Sequence, residues 1–294
     1  MFKSPLTSSI DEAPNKCPLE CPENGFHGIH LLTQQQEKDS SAKNVKLRTI
    51  LLLGALLPGI GCYFCAAWAY VFQLNTVRDF AMNTCARWLP PVSYIGHWEP
   101  QKYMWMFVVT IHFPAKLLLI VLYRRLFLDD SRQSYQRLAK CYLVTLWMEP
   151  IGLISVSILD LTLVEWHALA SALWVISFNL NMLFNVILHR FSQTRFKNKI
   201  HEITWCIKSL LLLTGFALSF FMTVAWVLAM NSCNTFVYYA FSITEYLLIG
   251  CNSAFYSVVY WEFSEVKVSI GLKQLHDGKD VVETVHEMKN FREI

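Results

Sequence analysis

The apolar residues of the chain gather into six long blocks, and polar stretches separate them. The blocks run from Thr49 to Leu74, Met104 to Tyr123, Tyr142 to Val164, Trp166 to Leu188, Ile207 to Met230 and Phe236 to Trp261. A hydrocarbon layer about 30 Å thick needs about 20 such residues in helix. Lipid offers the backbone no hydrogen-bond partners, so each block is expected to be an α-helix. The expected fold class is all-α: a polytopic membrane protein with six transmembrane helices. Pro58, Pro114 and Pro150 fall inside blocks, where they are tolerated and can kink a helix.

Composition agrees with this class. Of 294 residues, 54% are hydrophobic and 16% are charged, against about 25% charged in globular domains. That excludes a disordered chain, a coiled coil and a nucleic-acid module. The net charge of +3 says less than the placement of the cations. Lys38, Lys43, Lys46 and Arg48 precede the first block. Arg124, Arg125, Arg132, Arg137 and Lys140 follow the second, and Arg190, Arg195, Lys197 and Lys199 follow the fourth. The opposite side holds Arg78, Arg87 and Lys102 in one long loop, and its two short connections hold neither Lys nor Arg. The bias puts both termini in the cytosol. Trp105, Trp166, Tyr238, Tyr239 and Trp261 stand at block ends, as interfacial anchors do.

The expected organisation is a disordered cytosolic tail over 1–48, a membrane domain over 49–261 and a cytosolic tail over 262–294. No cleavable signal peptide is expected in the polar first segment. Val281, Val285, Met288 and Phe291 form a thin helical stripe in the last segment.

Of the nine cysteines, only Cys85 and Cys233 fall in lumenal loops on this topology. In an oxidising compartment they are expected to form a disulfide, the alternative being two free thiols. Cys17 and Cys21 in the tail are too few for a metal site. Cys62 and Cys65, though spaced C-x-x-C, sit inside a span, where small-residue packing fits better than redox chemistry. No N-x-S/T sequon occurs.

Ionisable groups inside spans are candidate sites because burying them in lipid is costly. At 1.5 Å per residue, His112 lies roughly 12 Å below the lumenal end of its span and Glu245 roughly 13 to 14 Å below the end of its own. Lys116 is one turn below His112, at about the level of Glu149. Asn252 shares a face with Glu245, and Asp160 and His167 flank a short loop near the lumenal surface. Two readings stand. In one, Lys116 and Glu149 form a buried ion pair while His112, Glu245 and Asn252 bridge helices. In the other, His112 is a base oriented by Glu245 and activates a hydroxyl for acyl transfer. No G-x-S-x-G, H-E-x-x-H, Walker or Rossmann pattern lies in a fitting context, so neither metal nor cofactor is expected.

Several residues also form a known pattern. The stretch Leu89-Pro90-Pro91-Val92-Ser93-Tyr94-Ile95-Gly96 is followed by Glu99-Pro100-Gln101-Lys102-Tyr103, Trp105 and His112-Phe113-Pro114-Ala115-Lys116. Glu149, Trp166-His167, Glu245-Tyr246, Asn252, Phe255 and Tyr260-Trp261-Glu262-Phe263 come next, with Cys85 and Cys233. Over roughly residues 45–263 this resembles the post-GPI attachment to proteins factor 2 family. That family's wider group holds the damage-regulated autophagy modulators and the N-terminal part of a yeast cell-wall biogenesis protein. Lys116 stands where the pattern expects arginine, which weakens a bidentate contact but not a simple charge pair.

The resemblance implies six spans in Golgi or endoplasmic reticulum membranes and a role in lipid remodelling of GPI-anchored proteins. There a lyso-anchor in the lumenal leaflet regains a saturated acyl chain. The implied partners are that lipid, the membrane and other remodelling proteins, and no nucleic acid. Whether the chain transfers the acyl group or assists another protein is left open. The alternative is a non-enzymatic regulator like the autophagy modulators, in lysosomes or at the plasma membrane. A small-solute transporter fits worst, for want of paired broken helices.

Overall fold

The computed structural model describes residues 47–83, 88–128, 132–159, 161–192, 199–232 and 234–263, all within one compact unit. Every regular element among them is helical. These are α1 (Leu47–Phe72), α2 (Leu74–Asn83), α3 (Val92–Ile95), α4 (Gln101–Leu128), α5 (Gln133–Ile158), a 3-10 turn (Leu161–Leu163), α6 (Val164–Phe191), α7 (Lys199–Asn231), α8 (Thr235–Ser257) and α9 (Val259–Glu262). The tails, the stripe from Val281 to Phe291, Asp160, Cys85 and Cys233 lie outside the described residues.

Among the described residues, five helices are long and apolar enough to cross a membrane: α1, α4, α5, α6 with its preceding turn, and α7. The sixth apolar block does form a long helix, α8, but it is not among the five. Tyr238, Tyr239, Tyr246, Tyr256, Glu245 and Asn252 dilute its apolar character. Helix ends also differ from the blocks. The third block stops at Ile158, because Leu159 is extended and the turn at Leu161–Leu163 starts the next helix. α4 and α5 run well past the apolar blocks at their shared end, as Arg124, Arg125 and Arg137 allow.

The six long helices close a ring in which each touches its neighbours: α1, α4, α5, α6, α7, α8 and back to α1. Small residues bring backbones together where lipid gives no hydrophobic drive for association. A Cβ on Gly54 would stand 2.2 Å from that of Ala115 in α4, and one on Gly152 would stand 2.9 Å from the Trp174 Cα in α6. Beside Pro58, the Gly59 N–H crosses to the Ser253 hydroxyl of α8 at 2.9 Å. Cys62 and Cys65 are buried free thiols in the same helix.

The main core, centred on Tyr123, Phe127, Tyr142, Phe178, Met182 and Phe255, fills the ring toward the α9 end. A smaller cluster of Cys65, Ala69, Val77 and Ile95 lies under α2 and α3 at the other end. The segment carrying α3 is pinned over the bundle. Tyr70 and Tyr246 donate to the carbonyls of Trp88 (2.5 Å) and Pro90 (3.2 Å), and the Trp88 N–H donates to the Tyr239 hydroxyl at 3.2 Å. Of the aromatic anchors, Trp166 and Trp261 are exposed. Trp105 turns inward and donates to the Ser157 hydroxyl at 2.9 Å.

Candidate functional site

Among the described residues the ring holds two buried charge centres and a pair of adjoining chambers. At the first centre Glu149 accepts from four side chains on three helices. Lys116 of α4 reaches it at 2.9 Å, Asn181 of α6 at 2.5 Å and Asn252 of α8 at 3.0 Å, and the Tyr256 hydroxyl completes the set. Lys116 also stands over the Tyr256 ring, 3.3 Å from its centroid, a cation–π contact that a desolvated ammonium favours. Lys116 and Glu149 are 2% and 3% exposed, so each offsets part of the cost of burying the other. Among the described residues the Asn181 Oδ1 of this network is left without a partner, and Asn252 borders a chamber inside the ring.

The second centre lies toward the α9 end. Lys208 of α7 donates to Glu262 at 2.5 Å, to the Tyr123 hydroxyl at 2.8 Å and to the Asn185 carbonyl oxygen at 2.9 Å. Tyr123 in turn donates to Glu262 at 2.7 Å, and His189 Nε2 stands 3.2 Å from the same carboxylate. Asn185 passes the chain of bonds to the Tyr142 hydroxyl at 2.9 Å. Lys208 stands one residue inside the fifth apolar block, and Glu262 falls just beyond the membrane domain expected over 49–261. The usable signal was a lysine just inside one apolar block and a glutamate just past another, both at the cytosolic end of the expected topology.

His112 and Glu245 are not brought together: among the described residues no hydrogen bond joins them. His112 Nδ1 faces the Gly54 carbonyl of α1 at 2.8 Å, and its ring borders a cleft of about 10 Å³ beside Lys116. Glu245 instead turns to α3. It accepts from the Val92 N–H at 2.7 Å and from the Ser93 hydroxyl at 2.5 Å. Equal depth put the two residues on one level, but the intervening loop segment took the carboxylate first.

Glu245 borders the two chambers, and so does His167. A central chamber of about 110 Å³ sits inside the ring, between Pro58, Trp105, Leu153, Trp174, Ile249 and Asn252. Lys102 and His97 stand at its α3 side. A second chamber of about 310 Å³ lies between α6 and α7, with Tyr238 and Phe241 of α8 also in its wall. Ser93, Glu245, His167 and Ser171 line both chambers. His167 Nδ1 is 3.0 Å from the Leu159 carbonyl. A carbonyl only accepts, so in the neutral ring Nδ1 carries the proton and Nε2 keeps its lone pair. That Nε2 is buried and has no partner among the described residues. An oriented imidazole with a free basic nitrogen at a polar junction can accept a hydrogen bond, or a proton, from a ligand hydroxyl. No group of three His, Cys, Asp or Glu among the described residues is placed to hold a metal ion.

A ring of long apolar helices with buried ion pairs between them is the architecture of a polytopic membrane protein. The chain belongs to the Frag1/DRAM/Sfk1/Cwh43P N-terminal domain family, whose pattern matches residues 47–266. It is similar to a protein of Drosophila melanogaster named "Post-GPI attachment to proteins factor 2", 26% identical over 245 residues covering 79% of this chain and 93% of the relative. The protein of that name in Drosophila pseudoobscura pseudoobscura is 28% identical over 246 residues, with the same coverage. A Xenopus tropicalis protein named "Acyltransferase PGAP2" is 23% identical over 238 residues, again covering 79% of this chain and 93% of the relative. No solved structure matches.

Proposed function

We propose that this chain takes part in lipid remodelling of GPI-anchored proteins, in the step that returns a fatty-acid chain to the lyso-form of the anchor. The names of its relatives support the process, and one of them names an acyltransferase. The observation that carries the reading is the shared wall of the two chambers: polar residues Ser93, Glu245 and His167 beside an apolar chamber in the bundle flank. A lyso-lipid has that same division, one chain and one free hydroxyl.

On this reading α8 is the sixth span, both termini are cytosolic and the α2–α3 end faces the lumen of the Golgi or endoplasmic reticulum. The charge bias supports the orientation. The test uses cells lacking the protein, with surface levels of GPI-anchored proteins and the acyl chains of their anchors as readouts. Loss should lower both the surface level and the fraction of anchors with two saturated chains, and re-expression should restore them. Unchanged anchors in the deficient cells would reject the reading and favour a non-enzymatic regulator.

The same topology puts Cys85 and Cys233 on the lumenal side, and we propose that they pair. Peptides mapped without reduction should link the two loops. Alkylation of both thiols in the native protein would refute the bond.

A further inference from the structure

We propose that the gap between α6 and α7 is the binding slot for one acyl chain of a glycerolipid, and that His167 Nε2 accepts a hydrogen bond from that lipid's free hydroxyl. The inference deepens the reading above and rests on it for the class of ligand.

The gap is built into the packing. α6 and α7 touch along less of their length than the other sequence neighbours in the ring, and α7 is the least buried of the five spanning helices. Ala168, Ala172 and Ile176 of α6 face Met222, Trp226 and Met230 of α7 across the gap. Ala168 and Ala172 are four residues apart, so they share a face and leave space one above the other. The walls are apolar and lie in the helix flank, where the available filler in a bilayer is a hydrocarbon chain.

The inner end selects the ligand. Ser93 and Glu245 are already bonded to each other, and Glu245 also takes the Val92 N–H. His167 Nε2 is the buried acceptor at the junction without a partner among the described residues. A buried acceptor left unmade is costly, so the site favours a ligand that brings a donor. A one-chain glycerolipid brings a hydroxyl. A two-chain ester brings at that position only a carbonyl and an ester oxygen, which cannot donate.

The test uses the full-length protein in nanodiscs and lysophosphatidylinositol carrying a diazirine near the end of its acyl chain. Irradiation followed by peptide mapping should place the label on Ala168, Ala172, Met222 or Trp226. Unlabelled lysophosphatidylinositol should compete better than diacyl phosphatidylinositol. His167→Ala should reduce that preference roughly five- to tenfold, the scale of one hydrogen bond. Ala172→Trp should fill the slot and abolish labelling there.

Label confined to the outer face of α7, at Leu213, Phe220 or Phe221, would overturn the slot. So would equal competition by the two lipids in the native protein. The wild-type map decides even if a variant fails to fold. A labelled slot with normal anchors in deficient cells would keep the lipid site and remove the remodelling role. An unlabelled slot with defective anchors would do the reverse.

Discussion

Glu149→Ala is expected to cost about 3–5 kcal/mol, the scale for removing one partner of a buried ion pair. That is a large share of the 5–15 kcal/mol that typically holds a fold. The loss would strand the Lys116 ammonium at 2% exposure, together with donors on Asn252 and Tyr256. Asn181 is less affected, since it also reaches the Thr145 carbonyl at 3.2 Å. Lys116→Ala should cost less than Glu149→Ala, because the carboxylate would keep three neutral donors. Lys116→Arg preserves the charge and should be the mildest of the three. Thermal unfolding followed by size-exclusion in detergent checks the order. Equal melting of Glu149→Ala and the native protein would show that this network does not hold the bundle.

The second large effect is expected from Glu262→Ala. It removes the counter-charge from Lys208 and the acceptor used by Tyr123, and leaves His189 beside an uncompensated cation. The cost should again be about 3–5 kcal/mol, but its consequence is local to one end. α9 contacts α1 and α7, and Glu262 is the residue that ties it to the buried lysine. A cysteine placed at Phe263, 2% exposed in the native protein, should become reactive to a membrane-impermeant maleimide in the Glu262→Ala background. Glu262→Gln should show a smaller rise. Full protection of that cysteine in the alanine variant would reject the clasp.

The helices were legible because a lipid span leaves the chain no other structure, and five of the six apolar blocks became helices of spanning length and hydropathy. The sixth was harder to read because its polar residues face partners rather than lipid. Asn252 and Tyr256 complete the Glu149 centre, and Ser253 meets the broken ladder near Pro58. The contact of Lys116 with Glu149 was legible because only two opposite charges lay at that depth. The partners of His112 and Glu245 were not. Depth fixes a level along the membrane normal, while the partner is set by helix rotation and by loops, and here α3 reaches Glu245 from outside the spans. Glu262 was missed for a related reason: apolar blocks were taken to end where the charge begins, whereas the ring carries one such charge inward to meet Lys208.

The Lys208–Glu262 contact also sets an order of assembly. A ribosome makes the chain from α1 onward, so Lys208 enters the membrane region before its carboxylate exists. Tyr123 waits longer still, because Glu262 follows it by 139 residues. Asn252 follows Glu149 by 103 residues. Until α8 and α9 arrive, the growing bundle holds a lysine without a counter-charge, which must reach toward the membrane surface for water. The ring therefore cannot settle helix by helix. Its last two elements draw the earlier polar groups inward together, and closure of the circle and burial of the charge become one event.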